Sequence, residues 1–180
     1  MGPNGGFAEP AAPEMEHTMQ YTPDVAELVD NPLGGRTPEE VREICSSTVA
    51  LRALAHPPQD FLIEKFCREY DEYTEAEARE IFEDLKRFLV AGELLDRSLA
   101  PSLPVDNMWH AWILFTKDYH EFGDLLNGYI HHRPIPKGDA AQPPLEPTIA
   151  VMEAAYGSVS DRSFPQELGS YGIMDCKRGV

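Results

Sequence analysis

Basic residues are scarce in this chain: 15 Lys and Arg stand against 31 Asp and Glu, for a formal charge of -16. Nucleic acids and anionic membrane surfaces are bound by clustered cations that displace counterions, so neither is expected as a partner. Cysteine is scarcer still. Cys45, Cys67 and Cys176 are an odd number at wide, unpatterned spacing, which argues against a disulfide framework and a CxxC metal knuckle and points to a reducing, cytoplasmic home. No apolar run approaches the ~18 residues of a membrane helix. The opening MGPNGGFAEPAAPEMEH has neither the basic nor the apolar region of a secretory signal. GxSxG, P-loop and strand-associated GxGxxG patterns are missing, so hydrolase, nucleotide-phosphate and dinucleotide readings have no starting point. Internal repeats and clear period-two strands are missing too.

What is present is helical periodicity punctuated by Pro and Gly. Residues 1–36 read as a flexible arm with one short helix from Asp24 to Val29, closed by Asn31-Pro32 and Gly34-Gly35. Thr37-Pro38-Glu39-Glu40 then forms a helix start, with Thr37 as cap and Glu40 closing a capping box. Its stripe of Val41, Ile44, Cys45, Thr48, Leu51 and Leu54 predicts one helix to about Ala55, stopped by His56-Pro57-Pro58. A second helix is expected over 59–70, with Cys67 in the core. A third starts at the capping box Thr74-Glu75-Ala76-Glu77 and ends near Gly92, keeping Lys86-Arg87 on its wet side. Helices over 106–115, 117–127 (with Thr116 as cap and Gly128 as stop) and 148–156 complete the pattern, and residues 158–180 read as a C-terminal arm. The expected fold is all-α, a small orthogonal bundle of about five to six helices over residues 37–157 with flexible N- and C-terminal arms. The length suits one such domain.

Chemistry concentrates in residues 105–134, which hold four of the six histidines and both tryptophans. Asp106 and His110, four apart on one helix, share a face. His131-His132 follow the Gly128 stop and precede Pro134, so a fold-back of the two short helices would bring one of them to Asp106 and His110. Two imidazoles and a carboxylate suit Fe(II), or Zn(II) or Cu(II) with positions left open. The expected ligands are Asp106, His110 and His132, with His131 or His120 as a spare ligand or acid/base. The break at Thr116 is what lets His120, ten residues after His110, compete. A plainer reading gives Asp106 a helix-start role and lets the histidines bond backbone carbonyls. Trp109, Trp112, Phe115, Tyr119 and Phe122 read as core rather than as a stacking box. His17 and His56 beside flexible or Pro-rich segments carry no functional expectation. Cys176 lies outside every apolar stripe and would be a reactive thiol or a late ligand.

Val105-Asp106-x-x-Trp109-His110, Leu114-Phe115-Thr116-x-x-Tyr119-x-x-Phe122 and His131-His132-x-Pro134, with the Glu83–Leu89 segment, resemble the glycine-rich domain-containing protein-like family, in particular its short bacterial members. The resemblance spans about residues 60–135. It implies an all-helical domain and marks Asp106, Trp109, His110, Tyr119, His131 and His132, which adds Tyr119 to the candidate catalytic residues. Such members carry a cysteine after Tyr-x-x-Phe where this chain has Gly123, which would leave the site altered or Cys176 in its place.

The leading expectation is a metal-dependent enzyme, an oxidoreductase of a specialised biosynthetic pathway acting on a small-molecule substrate. Two others stand beside it. One is a non-catalytic acidic helical module that binds a protein partner through its arms. The other is a cofactor or pigment carrier.

Overall fold

The computed structural model describes residues 25–126, 128–134, 144–165 and 172–175. Eight helices lie among these residues: α1 (Val25–Asp30), α2 (Pro38–Cys45), α3 (Thr48–Leu54), α4 (Asp60–Glu69), α5 (Glu75–Leu95), α6 (Leu103–Ile113), α7 (Thr116–Leu125) and α8 (Glu146–Tyr156). The class is all-α, as the periodicity predicts. The axis of the bundle is α5, whose residues Ile81, Phe82, Leu85, Phe88 and Leu89 are buried, and α2, α3, α4, α6 and α8 all pack against it. Each such side chain removed from water contributes about 1.5–3 kcal/mol. Among the described residues, no helix is long and apolar enough to cross a membrane.

The capping boxes form as the sequence predicts. Glu40 N donates to Thr37 Oγ1 at 3.2 Å while Thr37 N donates to the Glu40 carboxylate at 2.7 Å, and Thr74 and Glu77 repeat the arrangement. Both glutamates accept bonds from their threonines, which hold each carboxyl below its ordinary value.

Elsewhere the structure corrects the expected elements. The single helix over 37–55 is two, α2 and α3. Ser46 Oγ donates to Arg42 O at 2.7 Å and Ser47 caps α3 through Ala50 N, so two hydroxyls compete with the helical ladder and break it. Helix α5 runs past Gly92 to Leu95 and stops at Asp96, a left-handed residue at φ 52°, a conformation that Asp tolerates. Thr116 is the first residue of α7 rather than its cap; Phe115 holds that place. Lys86 is buried, not wet: its Nζ donates to Leu54 O at 2.7 Å and His56 O at 2.6 Å and pairs with Glu83 at 2.9 Å. The ammonium thus closes the C-terminal end of α3. Burial pushes its pKa below the usual lysine value, with Glu83 opposing.

Two short strands, β1 (His131–Pro134) and β2 (Gly172–Asp175), pair antiparallel, with His131 opposite Asp175, His132 opposite Met174, Arg133 opposite Ile173 and Pro134 opposite Gly172. Neither was expected, because four residues are too few for an alternating pattern to show.

Of the N-terminal arm, residues 25–36 belong to the packed body: Leu33 lies against the core, and Arg97 donates to Asn31 O at 2.6 Å. Residues 158–165 are likewise anchored by buried Phe164 and Ser163. The arm reading for 1–24, 166–171 and 176–180 falls outside the described residues, and so do His17 and Cys176.

Gly123 has a steric reason. A Cβ there would stand 2.6 Å from the carbonyl oxygen of Gly128, where the chain leaving α7 closes with Gly128 N donating to Gly123 O at 3.0 Å. No side chain fits, so Gly123 is not a vacated ligand position. Gly123→Ala is expected to destabilise the domain by about 1–3 kcal/mol through overpacking, read as a lower urea midpoint at unchanged slope.

Candidate metal centre

Helix α6 is capped by Ser102, whose Oγ accepts from Val105 N at 3.4 Å and donates to Ser163 O. That anchor sets the phase of the helix. Asp106 falls in the first turn, where the macrodipole favours a carboxylate, and Trp109 and His110, three and four residues on, share its face. Asp106 is only 2 % exposed. A carboxylate so buried requires a cationic or hydrogen-bonding partner.

The partner arrives on β1. Trp109 Nε1 donates to Tyr119 Oη at 2.9 Å, and Tyr119 Oη donates to Ile130 O at 2.7 Å. This relay fixes the backbone two residues before His132. The His132 Nε2 atom then lies 2.7 Å from Asp106 Oδ1. Its ring meets Trp109 edge-on at 4.5 Å and lies 4.5 Å from the ring of His110. His110 Nδ1 is 3.8 Å from Asp106 Oδ2, and its side chain is 52 % exposed. One nitrogen or oxygen from each of the three residues lies within 4.8 Å of the others. Two atoms that each sit ~2.1 Å from one ion, at tetrahedral to octahedral angles, are roughly 3.0–3.4 Å apart. The Asp106–His132 pair is near that range already, and the exposed His110 has the freedom to close the rest.

The fold-back predicted from the Gly128 stop therefore brings together Asp106, His110 and His132. His120 and His131 go elsewhere. Both are exposed and flank the ring of Tyr129, at 4.9 and 4.8 Å. Adjacent strand residues face opposite sides, which is why His131 turns out as His132 turns in. Tyr119 is enclosed in the Trp109–Ile130 relay, and burial drives its phenol above the ordinary tyrosine value. Its observed contacts are those of a positioning group. Tyr70, at the end of α4, is also raised, first by burial and then by the negative charges of Glu69 and Asp106.

A second constellation was not foreseen. His56 Nε2 lies 3.1 Å from Asp118 Oδ1, while Trp112 Nε1 donates to Asp118 Oδ2 at 2.6 Å. The two partners are 62 residues apart, so no local pattern could pair them. A surface cleft of about 420 Å³ lined by Phe61, Leu114, Phe115 and Asp118 adjoins this pair and includes none of the Asp106 cluster.

Fold and cluster together define a small all-helical domain with a carboxylate and two imidazoles gathered between one face of α6 and β1. The UCP032817-like family model matches residues 49–139, and the chain belongs to that family. This corrects the resemblance to the glycine-rich domain-containing family: the motifs that suggested it, over about residues 60–135, fall inside the matched stretch. No curated protein and no solved structure matches the chain.

Proposed function

We propose that the domain is a metal-dependent enzyme, with Asp106, His110 and His132 as ligands to a divalent transition metal. Fe(II) is favoured, and Zn(II) or Cu(II) would also suit the donors. One observation carries the reading: a nearly inaccessible carboxylate faces two imidazoles with all three donor atoms within 4.8 Å. Two histidines and one carboxylate form the facial set that leaves positions open on Fe(II) for redox chemistry. A bound metal would supply Lewis acidity or redox capacity at the exposed edge marked by His110. The chain's own part is positional: Trp109 and the Tyr119–Ile130 bond orient His132, as outer groups do around metal ligands. An oxidoreductase acting on a small molecule that approaches past His110 is the proposed activity. The free thiols Cys45 and Cys67 support a reducing, cytoplasmic setting for it. The charge of -16 supports a competing reading as an acidic interaction module.

Elemental analysis and calorimetric titration of untagged protein separate the two. One metal per chain is expected. Asp106→Asn and His132→Ala should each weaken binding about 100-fold, equivalent to about 2.8 kcal/mol at 1.4 kcal/mol per decade. His56→Ala, on the other cluster, should leave binding unchanged. Protein that takes up none of Fe(II), Zn(II) and Cu(II) would end the metal reading.

A further inference from the structure

The ligand from outside α6 sits on a strand whose ladder partner is donated by the far end of the chain. His132 is directly opposite Met174, and β2 enters 16 residues after α8 ends at Tyr156. On its N-terminal side β1 is fixed through Ile130 O by Tyr119. On its flank it is fixed by β2. From the site, His132 is fixed by Asp106 at 2.7 Å. A two-stranded ladder is marginal in water by itself, so its population responds to anything that immobilises one strand.

We propose that metal occupancy and docking of the C-terminal strand are thermodynamically linked, making residues 172–175 a regulatory strap on the metal centre. This rests on the metal reading above. An ion that draws His132 toward Asp106 and His110 orders β1 in the conformation that pairs with β2. Conversely, a docked β2 holds His132 where the ion needs it, so the site does not bear that ordering cost on binding. Linkage of this kind is reciprocal, and about 5- to 150-fold is its usual size. Whatever undocks the strap, whether a protein partner or proteolysis of the C-terminal residues, would then release metal.

The test uses the full chain with Zn(II) as probe. Hydrogen exchange at the amides of 172–175 is measured with and without saturating Zn(II), and Zn(II) affinity is compared between the native chain and Ile173→Pro/Met174→Pro. Backbone N–H groups alternate in facing the partner strand, so whichever of 173 and 174 donates to β1 loses that donor in the double substitution, and φ is fixed at both positions; far-UV circular dichroism reports whether the helical body stays intact. The expected result is slower exchange at 172–175 with Zn(II), together with about 5- to 100-fold weaker Zn(II) binding by the proline variant. Tight Zn(II) binding with unchanged exchange, or with equal affinity in a folded proline variant, would overturn the strap and leave the metal site standing. If the variant fails to fold, the exchange comparison on the native chain still decides. Failure of the native chain to bind any metal would overturn both, and elemental analysis distinguishes that case from the first.

Discussion

Trp112→Ala is expected to destabilise the domain by about 4–8 kcal/mol, enough to leave a domain of ordinary stability largely unfolded under mild denaturant. The indole is fully buried and meets Phe82 at 4.7 Å, Phe122 at 4.8 Å and Tyr119 at 5.3 Å, linking α5, α6 and α7. Truncating a buried aromatic costs about 3–5 kcal/mol through lost transfer energy and the cavity left behind. A second loss is polar. Trp112 Nε1 is the donor to Asp118 Oδ2, and without it a buried carboxylate relies on His56 alone, which adds about 1–3 kcal/mol. Trp112→Phe separates the two contributions, since it keeps most of the ring and deletes the N–H; about 1–3 kcal/mol is expected from it. His56→Ala removes the other partner of the same carboxylate. Its effect should be non-additive with Trp112→Phe, with a coupling of about 0.5–3 kcal/mol. Urea unfolding followed by circular dichroism measures the native chain, the three single variants and the Trp112→Phe/His56→Ala double variant that the coupling requires. A Trp112→Ala cost below about 2 kcal/mol would show that neither the Asp118 network nor the α5–α6–α7 junction carries the domain's stability.

That junction shows where sequence and structure part company. Both capping boxes were legible because a hydroxyl and a carboxylate three residues apart contain the whole interaction. The aromatic stripe of α6 and α7 was legible as core for the same local reason. The Ser46-Ser47 break was not, because in the sequence the stripe from Val41 to Leu54 runs on in phase across it; the hydroxyl bonds of Ser46 and Ser47 reset the helix, so that Ala50 and Ala53 face the core while Thr48 and Leu51 are exposed. Lys86 was misplaced because local spacing cannot see the carbonyls of Leu54 and His56 some thirty residues earlier, which make a dry position acceptable to an ammonium. The Asp106–His110–His132 cluster lay between these cases. Asp106 and His110 follow from helical geometry, whereas His132, 26 residues from Asp106, was reachable only through the density of ligating residues and the stop at Gly128. The sequence named His132 ahead of His131 with no local reason to prefer it; the physical reason is strand alternation in an element that four residues do not announce. His56 and Asp118 gave no signal at all, one standing before two prolines and the other looking like a surface residue of a helix's first turn.

Raising the pH above about 10 is expected to remove stability steeply, and two phenols, the buried Tyr119 and the half-buried Tyr156, set the sign. Tyr119 donates to Ile130 O and accepts from Trp109. Tyr156 shares a hydrogen bond with the Cys45 thiol and reaches Arg87 O at 3.2 Å. Burial raises both phenols above their ordinary value of 10, and it raises the Cys45 thiol above 9. In the unfolded chain these groups lose their protons near the ordinary values, while in the folded chain they keep them. The folded state therefore binds more protons at high pH. Its stability is fully present below those values and is lost as pH rises toward the folded ones. Each group contributes a slope of about 1.4 kcal/mol per pH unit, so the two tyrosines together give about 2.7 kcal/mol per unit once unfolded tyrosine is ionised. Lys86 acts in the opposite sense. Its lowered pKa means that the unfolded chain holds the extra proton up to the ordinary lysine value of 10.5, which partly offsets the loss until that point. The net decline should thus steepen above about pH 10.5. Urea midpoints at pH 9, 10 and 11 measure it, and absorbance at about 295 nm should show Tyr119 and Tyr156 ionising only as the chain unfolds. Tyr119→Phe removes one titrating group and should cut the slope by about 1.4 kcal/mol per unit. The same slope in that variant would show that the Tyr119 phenol ionises without unfolding the protein, and the buried relay from Trp109 to Ile130 would then not be what holds β1 against α6.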